Sequence, residues 1–171
     1  VTAYGNSNNI GINVDNANTT RVLNNTVTGD GKGSSNTGIR FASVSASNIT
    51  RNIVLANGTN SSTGILLFTS ANNNTIDNNT IRTNSSGTLG NNVGILANGA
   101  ASNNVTRNAI YIDGGTGSNG ISVATSGNYF SYNNITTLFT GSYAILISSG
   151  NSSLFNNTIL TSPVQWISTT D

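Results

Sequence analysis

One six-residue motif recurs six times in this chain, and the asparagine inside it constrains the fold more than any other feature. The copies are Val22–Val27, Ile49–Val54, Ile76–Ile81, Val105–Ile110, Phe130–Ile135 and Leu154–Ile159. Each opens on an apolar residue, carries Asn three positions on and closes on a second apolar residue. The asparagines are Asn25, Asn52, Asn79, Asn108, Asn133 and Asn157. Self-similarity at a regular period is the mark of a repeat architecture.

A second element precedes each copy. It reads Gly11-Ile-Asn-Val14, Gly38-Ile-Arg-Phe41, Gly64-Ile-Leu-Leu67, Gly94-Ile-Leu-Ala97, Gly120-Ile-Ser-Val123 and, with Ala for Gly, Ala144-Ile-Leu-Ile147. Successive copies lie between 24 and 30 residues apart. Apolar residues alternating with others have the period of a strand. Each repeat therefore predicts three short strands: one at Gly-Ile, one ending before the ladder Asn and one starting after it. Stacked repeats pair equivalent strands in parallel, rising about 4.8 Å per coil. The Asn then falls at a tight corner. Asn tolerates left-handed backbone there, and its amide, both donor and acceptor, can bond to its copy in the next coil.

At 171 residues the chain is expected to form one domain over 1–171, an all-β solenoid of about six coils with three strands each. Asn, Ser, Thr and Gly dominate, Glu is absent, and no stretch has helical periodicity. Such polarity also suits a disordered chain, but the apolar residues at fixed spacing argue against it. Residues 1–10 read as the tail of a preceding coil. The start at Val1, with neither Met nor a signal-peptide pattern, suggests a mature product or part of something longer. Near the other end, Ser162-Pro-Val-Gln-Trp-Ile167 breaks the pattern. Between a cap and a divergent seventh coil, the alternation of Val164 and Trp166 favours the coil.

A net charge of +1 from eleven charged side chains leaves no basic patch for a phosphate backbone, so nucleic acid is not an expected partner. No run is apolar enough for a membrane-spanning helix. His and Cys are absent, which removes imidazole and thiolate metal sites, and no cofactor is expected.

The Gly-Ile-x-apolar and apolar-x-x-Asn-x-apolar elements, over roughly residues 9–161, resemble those of the right-handed parallel β-helix repeat family. That family includes pectate-lyase-like enzymes and NosD-type surface proteins. The resemblance implies the fold, while function varies widely across such folds. It also implies that enzymes of this kind use clustered acids, and glycosidic hydrolysis needs two carboxylates close together. Asp15, Asp30, Asp77, Asp113 and Asp171 show no such pairing. Asp30 and Asp113 share a repeat position three coils apart, where they read as turn residues with Asn57 and Asn84, and Asp77 reads as alone on a solvent face. The expected catalytic and metal sites are therefore none. Weak calcium binding at the Asp-Gly turns lacks dense acidic ligands.

Arg51 and Arg107 share a repeat position two coils apart, roughly 10 Å by the strand spacing. With the aromatic pair Tyr129 and Tyr132 they are the candidate glycan contacts. Asn24, Asn78, Asn134 and Asn156 open N-x-Ser/Thr sequons beside the ladder, whereas no ladder Asn does, which makes the four candidate N-glycosylation sites.

The sequence-based expectation is a non-enzymatic, extracellular or cell-surface structural module with candidate glycosylation at those sequons. It would self-associate into a surface layer, sheath or filament through exposed ends or faces. A carbohydrate-binding or adhesion β-helix with a polysaccharide partner is the alternative, and a polysaccharide lyase or hydrolase the third reading.

Overall fold

The computed structural model describes residues 1–87, 90–148, 150–161 and 167–169. Among these residues twenty strands form three parallel sheets. The first sheet holds β1 (Thr2–Gly5), β4 (Thr26–Gly31), β7 (Ile53–Gly58), β10 (Thr80–Ser85), β13 (Ala109–Asp113), β16 (Asn134–Thr137) and β19 (Thr158–Thr161), side by side in that order. The second holds β2 (Ile10–Asp15), β5 (Thr37–Ala42), β8 (Thr63–Phe68), β11 (Val93–Asn98), β14 (Asn119–Val123), β17 (Tyr143–Ile147) and β20 (Ile167–Thr169). The third holds β3 (Arg21–Leu23), β6 (Asn48–Thr50), β9 (Thr75–Asp77), β12 (Asn104–Thr106), β15 (Tyr129–Ser131) and β18 (Ser153–Phe155). Every strand pairs with its equivalent one coil away, so the chain is a parallel β-helix of about six turns with three strands per turn. Among the described residues no helix is long and apolar enough to cross a membrane.

Alternation explains the core. In β10, Ile81, Thr83 and Ser85 are buried while Thr80, Arg82 and Asn84 are exposed. Register then stacks like on like, as in the column Ile39, Ile65, Ile95, Ile121 and Ile145, each at 0% exposure. The glycine before these isoleucines has a steric cause. A Cβ on Gly38, Gly64, Gly94 or Gly120 would stand 2.5–2.7 Å from the carbonyl oxygen of its counterpart in the next coil. Only the bare Cα admits that overhang.

The ladder forms through all six copies. Asn52 donates its backbone N–H (2.9 Å) and Nδ2 (3.0 Å) to Oδ1 of Asn79, and its Nδ2 also reaches the Val22 carbonyl at 2.8 Å. The same three bonds recur at Asn79, Asn108 and Asn133. Each amide thus satisfies donor and acceptor inside the core, as buried polar groups require.

One expectation about this corner is corrected. The left-handed residue is the one before the ladder Asn: Asn24, Arg51, Asn78, Arg107, Tyr132 and Asn156 have φ between 47° and 56°. The turn places its positive φ on an exposed residue and points the next side chain inward. The structure also holds two columns that the motif did not reveal. Ser47, Asn74, Asn103 and Asn128 link between the second and third sheets, each backbone N–H donating to the next side chain. Asn9, Asn36, Ser62, Asn92 and Ser118 stand at the corner between the first and second sheets, with an interrupted set of bonds.

The expected lead-in coil is present, since β1 pairs with β4. Asp30, Asn57, Asn84 and Asp113 do share a position, but within strands of the first sheet rather than in turns. Pro163, Val164 and Trp166, on which the choice between cap and seventh coil turned, lie outside the described residues. β20, just after them, pairs in parallel with β17 and continues the second sheet.

Candidate functional site

The outer face of the first sheet carries the groove with the most chemistry. It runs across β10, β13 and β16, between Thr80, Arg82, Ala109, Tyr111, Asn134 and Thr136, and encloses roughly 330 Å³. Register builds it. Thr80, Ala109 and Asn134 line up in consecutive coils, and so do Arg82, Tyr111 and Thr136. The small Ala109 lowers the floor between longer side chains. The Arg82 guanidinium lies over the Tyr111 ring, 5.1 Å from its centre, which is cation–π geometry. One of its nitrogens approaches Asp113 at 3.6 Å, with the arginine side chain 54% exposed. Sequence reasoning missed this pair. The available signal was that Arg82 and Tyr111 hold one repeat position in consecutive coils.

The sequence-derived contacts are not assembled into one site. Arg51, Arg107 and Tyr132 stand in the left-handed corner column beside the groove, whereas Tyr129 is on the outer face of the third sheet. Arg107 is already engaged: its Nε and a terminal nitrogen donate to the two carboxylate oxygens of Asp77 at 2.8 and 2.7 Å. Asp77, expected to be alone, also accepts from Thr106 Oγ1 at 2.7 Å. The Arg107 hydrogen bond is the main influence holding the Asp77 carboxyl below its ordinary range, against the opposing effect of burial. Tyr132 packs edge-on against Phe155, with ring centres 5.5 Å apart. Arg51 is exposed at its corner. The sequon residues Asn24, Asn78, Asn134 and Asn156 are exposed, while Asn52, Asn79, Asn108 and Asn133 of the ladder are buried.

Among the described residues no cluster of three or more Asp, Glu, His or Cys side chains is placed to hold a metal. Asp113 and Asp77 are each tied to an arginine and sit on different sheets.

No family model matches the sequence, and no curated protein matches it. Among solved structures the chain is similar to the periplasmic alginate epimerase AlgG. The overlay has a TM-score of 0.52 at 17% identity and covers 93% of this chain and 47% of the other. A mutant of the same epimerase gives a TM-score of 0.48 at 16% identity, covering 99% and 45%. At such identity the likeness establishes the fold, a parallel β-helix, and the chain spans about half the length of that structure.

The expectation of a non-enzymatic module of a surface layer, sheath or filament is corrected by this finding. The solved β-helix on which the chain overlays is an enzyme, so a solenoid of this form is no argument for a passive building role.

Proposed function

We propose that this chain is the polysaccharide-holding β-helix of a carbohydrate-active protein that works outside the cytoplasm. The polymer lies along the outer face of the first sheet, across β10, β13 and β16. The observation that carries the reading is the groove in which Arg82 and Tyr111 stand together over a floor lowered at Ala109. Sugar recognition combines an apolar ring face with directional hydrogen bonds. Tyr111 supplies the first, and Thr80, Asn134 and Thr136 supply the second. The likeness to a periplasmic enzyme acting on alginate supports both the substrate class and the compartment. Arg51, at the corner flanking the groove, is a secondary contact in this reading.

Affinity electrophoresis through gels containing a uronate polymer or a neutral mannan tests it directly. At least one polymer is expected to retard the protein, and Tyr111→Ala is expected to abolish most of that retardation. Free migration in both gels, or retardation indifferent to Tyr111→Ala, overturns the proposal. Proton NMR of the polymer after incubation reads whether its sugars are altered.

A further inference from the structure

The two arginine–aspartate pairs of the described residues differ in how much of the guanidinium they consume. Arg107 spends two N–H groups on Asp77 in a two-pronged bond at 2.8 and 2.7 Å. Arg82 has one 3.6 Å approach to Asp113, at the long end of the ion-pair range. A guanidinium carries five N–H donors in a rigid fork that matches a carboxylate in two-pronged fashion. Arg82 therefore keeps its fork open, while the Tyr111 ring beneath it limits the orientations it can adopt. Asp113 belongs to the next coil on the same sheet, at the row beyond Tyr111, and is the only carboxylate that Arg82 meets among the described residues.

We propose that Arg82 is the anion-recognising residue of the groove and that Asp113 is its internal competitor, so that the groove selects a carboxylate-bearing polysaccharide over a neutral one. This rests on the polysaccharide reading above and adds the charge class of the polymer. A sugar carboxylate entering over Tyr111 forms two short charge-assisted bonds where Asp113 makes one long contact, and so displaces it. Neutral sugars lack the group that wins this exchange. They leave Asp113 in place and meet only the tyrosine and the hydroxyl and amide rim.

The test compares binding of polymannuronate and of a neutral mannan by titration calorimetry at low salt, using the whole chain and four variants. Circular dichroism confirms that each is folded, as expected for substitutions outside the buried core. Wild type is expected to prefer the uronate polymer. Arg82→Ala weakens uronate binding by about tenfold or more, the loss expected for a hydrogen bond to a charged group. Arg82→Lys, which keeps the charge but not the fork, falls between the two. Asp113→Asn tightens uronate binding by about twofold to fivefold, the range of an exposed ion pair. Arg21→Ala, a cation on the third sheet, leaves binding unchanged and excludes general charge attraction.

Equal affinity for both polymers, with Arg82→Ala without effect, overturns the charge assignment while the polysaccharide reading stands. Loss in Arg21→Ala equal to that in Arg82→Ala also overturns it. Asp113→Asn binding no better than wild type removes the competitor. Binding of neither polymer by any form removes this proposal and the reading beneath it.

Discussion

Two corners of the same coil solve one problem with different success. Between the third and first sheets the turn is two residues in every coil, a left-handed residue and then Asn. Between the first and second sheets it is four to seven residues, and the inward position is Asn in some coils and Ser in others. At the first corner each buried amide bonds its copy and a carbonyl of the coil behind. At the second, Ser118 accepts from the Asn92 N–H and bonds nearby glycine carbonyls, but the Ser62 and Ser142 hydroxyls are buried with no partner. A carboxamide offers two donors and an acceptor at a reach that spans a coil, whereas a hydroxyl offers one hydrogen on a short arm. The turn that keeps its length therefore keeps its asparagine. The turn that varies in length has partners at varying distance, and it tolerates the smaller side chain.

The largest effect expected from this contrast is at Asn79. Asn79→Leu strips the acceptor from both donors of Asn52 and leaves the Ile49 carbonyl and Asn108 amide short of a partner. Urea unfolding should show a loss of about 3–4 kcal/mol, from two or more buried groups left unmade. A loss below about 1 kcal/mol would mean that water replaces the ladder, and the contrast would fail.

Next comes the glycine column. Gly64→Ala forces a methyl to within 2.6 Å of the Gly94 carbonyl oxygen and 2.3 Å of Ile81 Cγ2. The expected cost is about 1–3 kcal/mol, the usual range for overpacking. A thermal melt indistinguishable from wild type would show that the coils separate there at no cost.

On the outside of the ladder corner, Arg107→Ala removes the main partner of Asp77 and leaves the Thr106 hydrogen bond. The folded carboxyl is held below its ordinary value of 3.8. Its contribution to stability is therefore present above that pH and is lost as the pH falls through the folded value. The variant should lose the largest part of this component, so its stability depends less on pH below about 4. Acid titration of both forms followed by circular dichroism reads the difference, and coincident curves count against the clasp. The smallest effect is reserved for the looser corner. Ser62→Ala removes a hydroxyl that bonds nothing, and stability should stay within about 0.5 kcal/mol of wild type. A larger loss would reveal a partner and erase the distinction between the corners.

Much of the fold was legible because the solenoid writes each contact into the sequence as a spacing. Asn25, Asn52 and Asn79 are neighbours in space for the same reason that they are evenly spaced along the chain. The second and third columns were harder to read because Ser47 interrupts one and Ser62 and Ser118 the other, and no uniform residue type announced them. The site was least legible. Arg82 and Tyr111 face solvent, where no packing rule fixes residue type, and only register reveals that they touch. The contacts chosen instead shared a repeat position or lay near one another in sequence. Neither property showed that Arg107 would be claimed by Asp77 or that Tyr129 would face another side.

Because each described strand pairs only with its counterparts one coil before and after, no pairing among the described residues spans much more than a single repeat. Such a chain behaves as a one-dimensional stack with nearest-neighbour couplings. Heat or denaturant should then peel it from its outermost rungs, and amide exchange should slow progressively from the terminal coils to those around Asn79. A single melting temperature would describe only the average of that gradient.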